Sequence, residues 1–184
     1  MKRLVALNLR FLICAGLSCL VWTGCATAPP KVELPPSLDV PRKIELSDVP
    51  FYPQGEYQCG PASLAMTLAW SGVAITSEQL KPEVYTPSRQ GSLPPDMIGA
   101  ARRHGRIAYP IHRVEDILKE VAGGHPVIVL QRLRSFFQYN WHYAVVIGYD
   151  LANREIILRS GTTQRWRTTL ALFCRSNSAF SPPF

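Results

Sequence analysis

The stretch PQGEYQCGPAS at residues 53–63 decides how this sequence is interpreted. Apolar residues follow it at four-residue spacing, which is typical of one face of a helix. Pro61 suits the first turn of that helix, because the N–H that proline lacks would have no partner there. The pattern therefore predicts a helix over residues 60–71, with Cys59 at its N-terminus.

A cysteine at this position is suited to nucleophilic chemistry. The exposed N–H groups of a helix N-terminus and the helix dipole stabilise the thiolate, which is the reactive form. A base must still take up the thiol proton, and His142, at the start of an apolar strand predicted over Trp141–Tyr149, is the best candidate. Gln54, on the loop that enters the helix, would donate its amide N–H to an oxyanion beside the backbone N–H of Cys59.

These residues also admit plainer interpretations. Cys59 could form a disulfide with Cys174 in an oxidising compartment, or serve as a small buried apolar residue. His142 could be a core histidine with its hydrogen bonds satisfied. The sequence contains neither Cys-x-x-Cys nor His-x-x-x-His, so we expect no zinc site and no other cofactor.

Helical patterns come first along the chain and strand patterns follow, which predicts an α+β domain with an antiparallel sheet. The predicted helices are 60–71, a short helix opened by a Thr76–Gln79 capping box, 96–104, 114–121 and 168–173. The predicted strands are 46–52, 107–111, 127–131, 141–149, 154–159 and 164–167, with a loop over 82–95 and a hairpin turn over 150–153.

The motifs resemble those of papain-like cysteine peptidases of the bacteriocin-processing, double-glycine class, and most closely their free-standing relatives, the peptidase-like lipoproteins of Gram-negative bacteria. Those relatives carry a Gln, then Cys-Gly-Pro-Ala-Ser-Leu, then a His before an apolar strand and Gly-Tyr-Asp. The matching residues here lie between about 49 and 161. The resemblance implies a papain-like α+β fold with Cys59 as nucleophile, His142 as base and Gln54 as oxyanion donor. In the transporter-linked relatives the Gln stands six residues before the Cys, whereas here it stands five before.

The third catalytic group is where the sequence departs from the family, which orients the imidazole with an Asp or Asn on the next strand. If the turn is 150–153, His142 lies opposite residue 161, and Asp150 is about 26 Å away along the strand at 3.3 Å per residue. The side chain nearest to residue 161 that could hold the ring is Ser160, which is not a carboxylate. A backbone carbonyl could also hold it, the dyad could act alone, or an orienting group could come from elsewhere.

Two segments beside His142 have different expected roles. Trp141 and Tyr143 fall on the opposite strand face and are predicted to belong to the core. Residues 132–139 are polar and aromatic and lead directly to His142, so they either border a cleft or form an ordinary surface loop.

Residues 1–24 have the pattern of a signal peptide, with Lys2 and Arg3 before an apolar run over 11–22 that is too short to span a membrane. Trp22-Thr23-Gly24-Cys25 resembles a lipobox, which implies cleavage before Cys25 and lipid attachment to it. Cys19 is a weaker alternative, and a plain secretory signal cut near residues 26–28 is another.

The remaining chain divides into a Pro-rich tether over 25–45, a peptidase domain over 46–174 and a tail over 175–184. If Cys25 carries lipid, the resemblance to lipoproteins implies sorting to the outer membrane, because the next residue is Ala26 and not Asp. The net charge is +7, but three basic residues precede Cys25, so the rest carries only +4 and no basic run, which argues against nucleic-acid binding.

The sequence therefore predicts a membrane-anchored cysteine peptidase that faces the bacterial periplasm and acts on a peptide or protein substrate. Two alternatives remain open: a non-catalytic peptide-binding module on a degenerate peptidase fold, and a cell-wall amidase or acyltransferase that uses the same Cys–His dyad.

Overall fold

A computed structural model describes residues 32–135 and 138–177. For three of these residues, 135, 138 and 139, it describes the backbone but not the side chain. The chain divides after residue 30, and the description concerns the unit that follows. The predicted signal peptide, the predicted lipid-attachment residue Cys25 and most of the predicted tail lie outside the described residues. No helix in the described part of the chain is long and apolar enough to cross a membrane.

The described residues form a helical layer followed by an antiparallel sheet, which confirms the predicted α+β fold. The elements are β1 (Lys43–Glu45), α1 (Cys59–Trp70), α2 (Ser77–Val84), β2 (Tyr85–Thr86), β3 (Gly91–Ser92), α3 (Pro94–Arg103), α4 (Val114–Ala122), β4 (Val127–Ser135), β5 (Gln138–Asp150), β6 (Glu155–Ser160), β7 (Thr163–Thr169) and α5 (Leu170–Ser176). The capping box is present, since Thr76 Oγ1 accepts from Gln79 N and Gln79 Oε1 accepts from Thr76 N.

Helix α1 is held between the sheet and the other early helices. Leu64 and Leu68 pack in a cluster with residues of α2, α3 and β5, while Met66 packs against Val145 and Ile147 of β5. Burying each such side chain contributes about 1.5–3 kcal/mol. Because α1 is packed on both sides, the position of its N-terminus is fixed relative to the sheet.

Strand β5 is the centre of the sheet. It pairs with β4 over residues 138–146 and with β1 over residues 148–150 along one edge, and with β6 along the other edge. Both faces of its second half are buried, as the apolar sequence predicts, because α1 covers one face and α4 and α5 cover the other.

The first strand differs from the prediction. The strand expected over 46–52 is instead β1, at Lys43–Glu45. A Cβ on Gly148 would lie 2.5 Å from the carbonyl oxygen of Ile44, so the glycine permits this close pairing. Just before β1, Val32 and Leu38 pack against the core, so the described end of the predicted tether lies on the domain.

Two further predictions between the helices are wrong. Residues 107–111 form no strand: Ile107 is 92% exposed, and the backbone carbonyl of Ala108 instead accepts from Arg102. Residues 82–95 are not simply a loop, because β2 and β3 pair there as a short hairpin.

The hairpin between β5 and β6 also has a different register. Tyr149 pairs with Ile156 rather than Arg154, because Arg154 adopts a left-handed conformation (φ 55°) inside the turn. An irregularity between Val146 and Gly148 then shifts the pairing back by one residue, so that Val145 lies opposite Arg159.

Candidate active site

Cys59 is the first residue of α1, as predicted. The side chain of Gln58 does not cap this helix, and the first intrahelical bond runs from Ala62 N to Gln58 O. The N–H groups of Cys59 and Gly60 therefore precede the helical hydrogen-bond ladder and face outward from its end. Cys59 is half-buried and free, and so is Cys174, so the alternative prediction of a disulfide between them is wrong.

The glycine after Cys59 allows β3 to pack directly on the start of α1. A Cβ on Gly60 would lie 2.2 Å from Ser92 Oγ and 2.6 Å from Ser92 Cβ. The carbonyl of Ser92 accepts a hydrogen bond from the hydroxyl of Tyr143 at 3.3 Å. The β2–β3 hairpin thus connects the N-terminus of α1 to strand β5.

Tyr143 brings the cysteine helix next to the histidine strand. Its ring is buried in the same apolar cluster that Cys59 packs against. Burial raises the pKa of Tyr143, and the negative charge of the Cys59 thiolate raises it further. Cys59 therefore lies beside the residue that follows His142. Tyr143 is core, as predicted, whereas the core prediction for Trp141 is wrong, since its side chain is 58% exposed.

His142 and Ser160 are within hydrogen-bond distance, with Nε2 of the ring 2.9 Å from Ser160 Oγ. The pairing of Val145 with Arg159 explains the contact, because it sets Ser160 diagonally across from His142 on one sheet face. Ser160 is buried, and burial lowers the pKa of His142. The ring is therefore kept neutral, which is the form that accepts a proton.

Gln54 is buried and fully engaged by backbone and side-chain partners. Its Nε2 donates to Ser63 Oγ and to the carbonyl of Tyr143, both at 3.2 Å. Its Oε1 accepts from Gly161 N at 2.9 Å, and its own backbone N–H donates to Gly161 O at 3.0 Å. A backbone donor and a backbone acceptor fix the orientation of the amide, and its two N–H hydrogens point at Ser63 and Tyr143.

The sequence singled out the three side chains at positions 54, 142 and 160, but it missed the residues that connect them. Ser63 and Gly161 stand in or near the recognised motifs, yet nothing local in the sequence indicates that both bond to Gln54. Gly161 adopts a φ of 58°, a conformation that favours glycine. The glycine itself was therefore the one sign in the sequence that the backbone turns at this position.

Asp150 lies away from this group of residues, as the sequence indicated. It forms an ion pair with Lys43 at 3.3 Å and accepts hydrogen bonds from Asn153. The described residues contain no cluster of His, Cys, Asp and Glu side chains that could hold a metal ion.

Comparison with known proteins places this arrangement in a family. The model of the Peptidase_C39 like family matches residues 46–171, which include Gln54, Cys59, His142 and Ser160. The chain belongs to this family. Family and fold together support a cysteine peptidase function, and they confirm the resemblance to the bacteriocin-processing, double-glycine peptidase class.

Solved structures share the fold at low sequence identity. The peptidase domain of Streptococcus ComA, a bi-functional ABC transporter involved in a quorum-sensing pathway, is 20% identical, with a TM-score of 0.59 over 71% of this chain and 93% of that one. A C39-like peptidase from Bacillus anthracis is 19% identical, with a TM-score of 0.56 over 69% of this chain and 88% of that one. Among curated protein sequences, no match is found.

Proposed function

We propose that this protein is a cysteine peptidase in which Cys59 attacks the carbonyl of a peptide bond and His142 moves the proton. The observation that carries the proposal is the 2.9 Å contact between His142 Nε2 and Ser160 Oγ. A free cysteine at the N-terminus of the helix that packs against Tyr143, the residue after His142, supports it. The contact with Ser160 engages one ring nitrogen and leaves Nδ1 for the exchange with the thiol.

The proton moves twice in each half of the reaction. His142 takes the thiol proton as Cys59 attacks, then gives it to the departing amine as the acyl-enzyme forms. Water then attacks the thioester as the same ring takes its proton, the C–S bond breaks, and the ring returns the proton to the Cys59 thiolate as the acid product leaves. Throughout, Nε2–H donates to Ser160, which holds the ring in place.

The oxyanion would be stabilised first by the backbone N–H of Cys59, at the uncapped end of α1. Gln54 remains a predicted second donor. To serve in this way, its amide would exchange its bond to Ser63 or to Tyr143 for one to the oxyanion.

A non-catalytic peptide-binding function is the second candidate. Two observations favour it: Ser160 is a neutral partner for His142 where the family uses a carboxylate or amide, and both N–H hydrogens of Gln54 already have acceptors. An imidazolium next to a hydroxyl is stabilised less than one next to a carboxylate.

The pH dependence of alkylation separates the two candidates, and the chain contains its own control. Burial raises the pKa of the Cys174 thiol to about 11, so Cys174 should react slowly until alkaline pH. We expect Cys59, mapped by mass spectrometry, to react rapidly near pH 6 in the wild type and slowly in His142→Ala. If Cys59 reacted only at alkaline pH in both proteins, as is expected of Cys174, the peptidase proposal would be wrong.

Membrane anchoring is a separate proposal that rests on the lipobox-like residues. We infer that Cys25 carries lipid and holds the domain at the outer membrane, facing the periplasm. Metabolic labelling with a fatty-acid analogue should mark the wild type and not Cys25→Ala. Label that persisted in Cys25→Ala would move the attachment to another residue, such as Cys19.

A further inference from the structure

Three large apolar side chains are exposed on segments that meet at the N-terminus of α1. Tyr57 is 46% exposed and stands two residues before Cys59, and Leu93 is 42% exposed and directly follows β3. Trp141 is more than half exposed and directly precedes His142. Exposed apolar side chains that lie close together are typical of binding sites, because a ligand that covers them removes apolar surface from water. We call these three side chains the apolar rim.

Trp141 shares the face of β5 on which Cys59 packs. Side chains two positions apart on a strand lie on the same face, so Trp141 is on the face of Tyr143. Tyr143 and Leu130, the residue opposite it on β4, belong to the apolar cluster that Cys59 contacts. Trp141 therefore continues this face beyond the buried cluster, where its ring is accessible.

Leu93 reaches the same region through the β2–β3 hairpin. It directly follows Ser92, whose side chain packs on Gly60, the residue after Cys59. The carbonyl of Ser92 also accepts a hydrogen bond from the Tyr143 hydroxyl. Leu93 thus lies next to the contact that joins the cysteine helix to strand β5.

Tyr57 exposes its ring at a cost in backbone conformation. Its φ of 59° lies in the left-handed region, which residues with a Cβ rarely adopt. Burial does not offset this cost, because nearly half of the residue is exposed. The charge of Glu56 and, more weakly, Tyr85 of β2 raise the pKa of Tyr57, so the ring lies near the hairpin that leads to Leu93. Strained residues of this kind are concentrated at functional sites.

We propose that the apolar rim binds apolar side chains of the peptide substrate next to the cleaved bond, and that Trp141 is its main specificity-determining residue. This inference rests on the proposed peptidase function. The cleaved carbonyl must reach Cys59 and the departing amine must reach His142, so the substrate runs along the segments that carry the rim. Aromatic rings bind apolar and aromatic side chains through the area they bury and through favoured ring-to-ring arrangements.

A binding measurement tests the rim without requiring catalysis. The full-length Cys59→Ala protein is titrated with the fluorescein-labelled, amidated hexapeptide Gly-Ser-Phe-Phe-Ser-Gly, and Gly-Ser-Gly-Gly-Ser-Gly, labelled in the same way, is the comparison. Fluorescence anisotropy measures both affinities. We expect the phenylalanine peptide to bind at least about tenfold more tightly, because its two rings would be covered by the rim.

Substitution of Trp141 in the same protein tests its role. Trp141→Ala should reduce the preference for the phenylalanine peptide about three- to tenfold, and Trp141→Leu, which keeps an apolar side chain, should reduce it less. Trp166→Ala is the matched control and should retain the preference. Trp166 is also a partly exposed tryptophan, but it lies opposite Leu158, on the face of the sheet that α5 covers. An unchanged preference in both Trp141 variants would overturn the inference.

Tyr57→Gly tests the second aromatic residue of the rim together with its strain. Glycine adopts the left-handed conformation without strain, so the Tm should be unchanged or higher. Binding of the phenylalanine peptide should nevertheless weaken about threefold. A lower Tm with unchanged binding would show that the ring stabilises the fold, and would overturn the assignment of Tyr57 to the rim.

A cleavage measurement separates this inference from the proposed function. The wild-type protein is incubated with a proteome-derived peptide library, and the products are identified by mass spectrometry. We expect apolar and aromatic residues to be enriched next to the cleaved bond, and the enrichment to be lost in Trp141→Ala and kept in Trp166→Ala. Cleavage by the wild type without any such enrichment would overturn the role of the rim and leave the peptidase proposal intact. If no peptide were cleaved, the peptidase proposal would fail, and the binding titration would decide the role of the rim.

Discussion

Gln54 and Gly161 bond to each other twice. The backbone N–H of Gln54 donates to the carbonyl of Gly161, and the backbone N–H of Gly161 donates to the side-chain oxygen of Gln54. The remaining amide hydrogens of Gln54 reach Ser63 on α1 and Tyr143 on β5. One glutamine thus joins the cysteine helix, the histidine strand and the turn after Ser160.

Removal of this glutamine should destabilise the domain. Gln54→Ala leaves the partly buried Gly161 N–H and the Tyr143 carbonyl without the partners that Gln54 supplies, and each such loss costs about 1–3 kcal/mol. We expect the free energy of unfolding to fall by about 3 kcal/mol, measured by urea denaturation. Gln58→Ala, whose side chain makes no capping bond, should change it by less than about 0.5 kcal/mol. Equal stability of the two variants would contradict the joining role of Gln54.

Ser160 should control the reactivity of Cys59 through His142. We expect the rate of Cys59 alkylation at pH 7 to decrease in the order Ser160→Asp, wild type, Ser160→Ala, with steps of about tenfold. A carboxylate raises the pKa of the neighbouring imidazole and stabilises its charged form, and alanine offers it no acceptor. The ring pKa, followed by NMR, should shift upward in Ser160→Asp. Identical rates in wild type and Ser160→Ala would show that the contact does not position the ring.

The burial of His142 should make the domain less stable in mild acid. Its pKa in the folded state is lowered by burial, so between pH 6.5 and that lower value the unfolded chain binds more protons than the folded one. Stability should therefore be fully present above about pH 6.5 and fall by at most about 1.4 kcal/mol per pH unit below it.

Urea midpoints at pH 7.5 and pH 5.5 check this expectation. His142→Gln lacks the titrating ring and should show a smaller difference between the two pH values than the wild type. The interpretation fails if the two proteins lose the same stability on acidification.

Gly60→Ala should destabilise the protein, although alanine ordinarily favours a helix over glycine by about 1 kcal/mol. The new methyl group would meet Ser92, and overpacking of this kind costs about 1–3 kcal/mol. Ser92→Gly removes the obstructing atoms, so the double variant should recover most of the stability lost in Gly60→Ala. Ser92→Ala should recover less, because its Cβ remains 2.6 Å from the new group. A thermal-melt double-mutant cycle with no coupling between the two positions would refute the contact.

Local chemistry accounts for what the sequence predicted well. Helix α1, the Thr76–Gln79 capping box and the buried strand after His142 each depend on residues a few positions apart. Counting along the hairpin also placed Ser160 close to His142, and the structure shows that contact although the register differs. The catalytic roles of Gln54, His142 and Ser160 stay predictions.

The errors lie where distant parts of the chain decide the structure. The strand expected over 107–111 does not form, because a strand-like pattern needs a neighbouring edge to pair with. The β5–β6 register depends on the turn conformation of Arg154 and on an irregularity near Ile147. The alternation of side chains along a strand reveals neither of these features. Trp141 is exposed although it shares a strand with buried residues, because burial extends only over part of β5.

The bonds of Gln54 also determine when, during folding, the site can exist. Its contact with Gly161 spans 107 positions of the chain, and its contact with Tyr143 spans 89. Contacts of such high contact order form only after the intervening chain has closed its loops. An incomplete or unfolded chain would therefore carry the cysteine and the histidine without an assembled site, and a newly made molecule would acquire reactivity only in the last steps of its own folding.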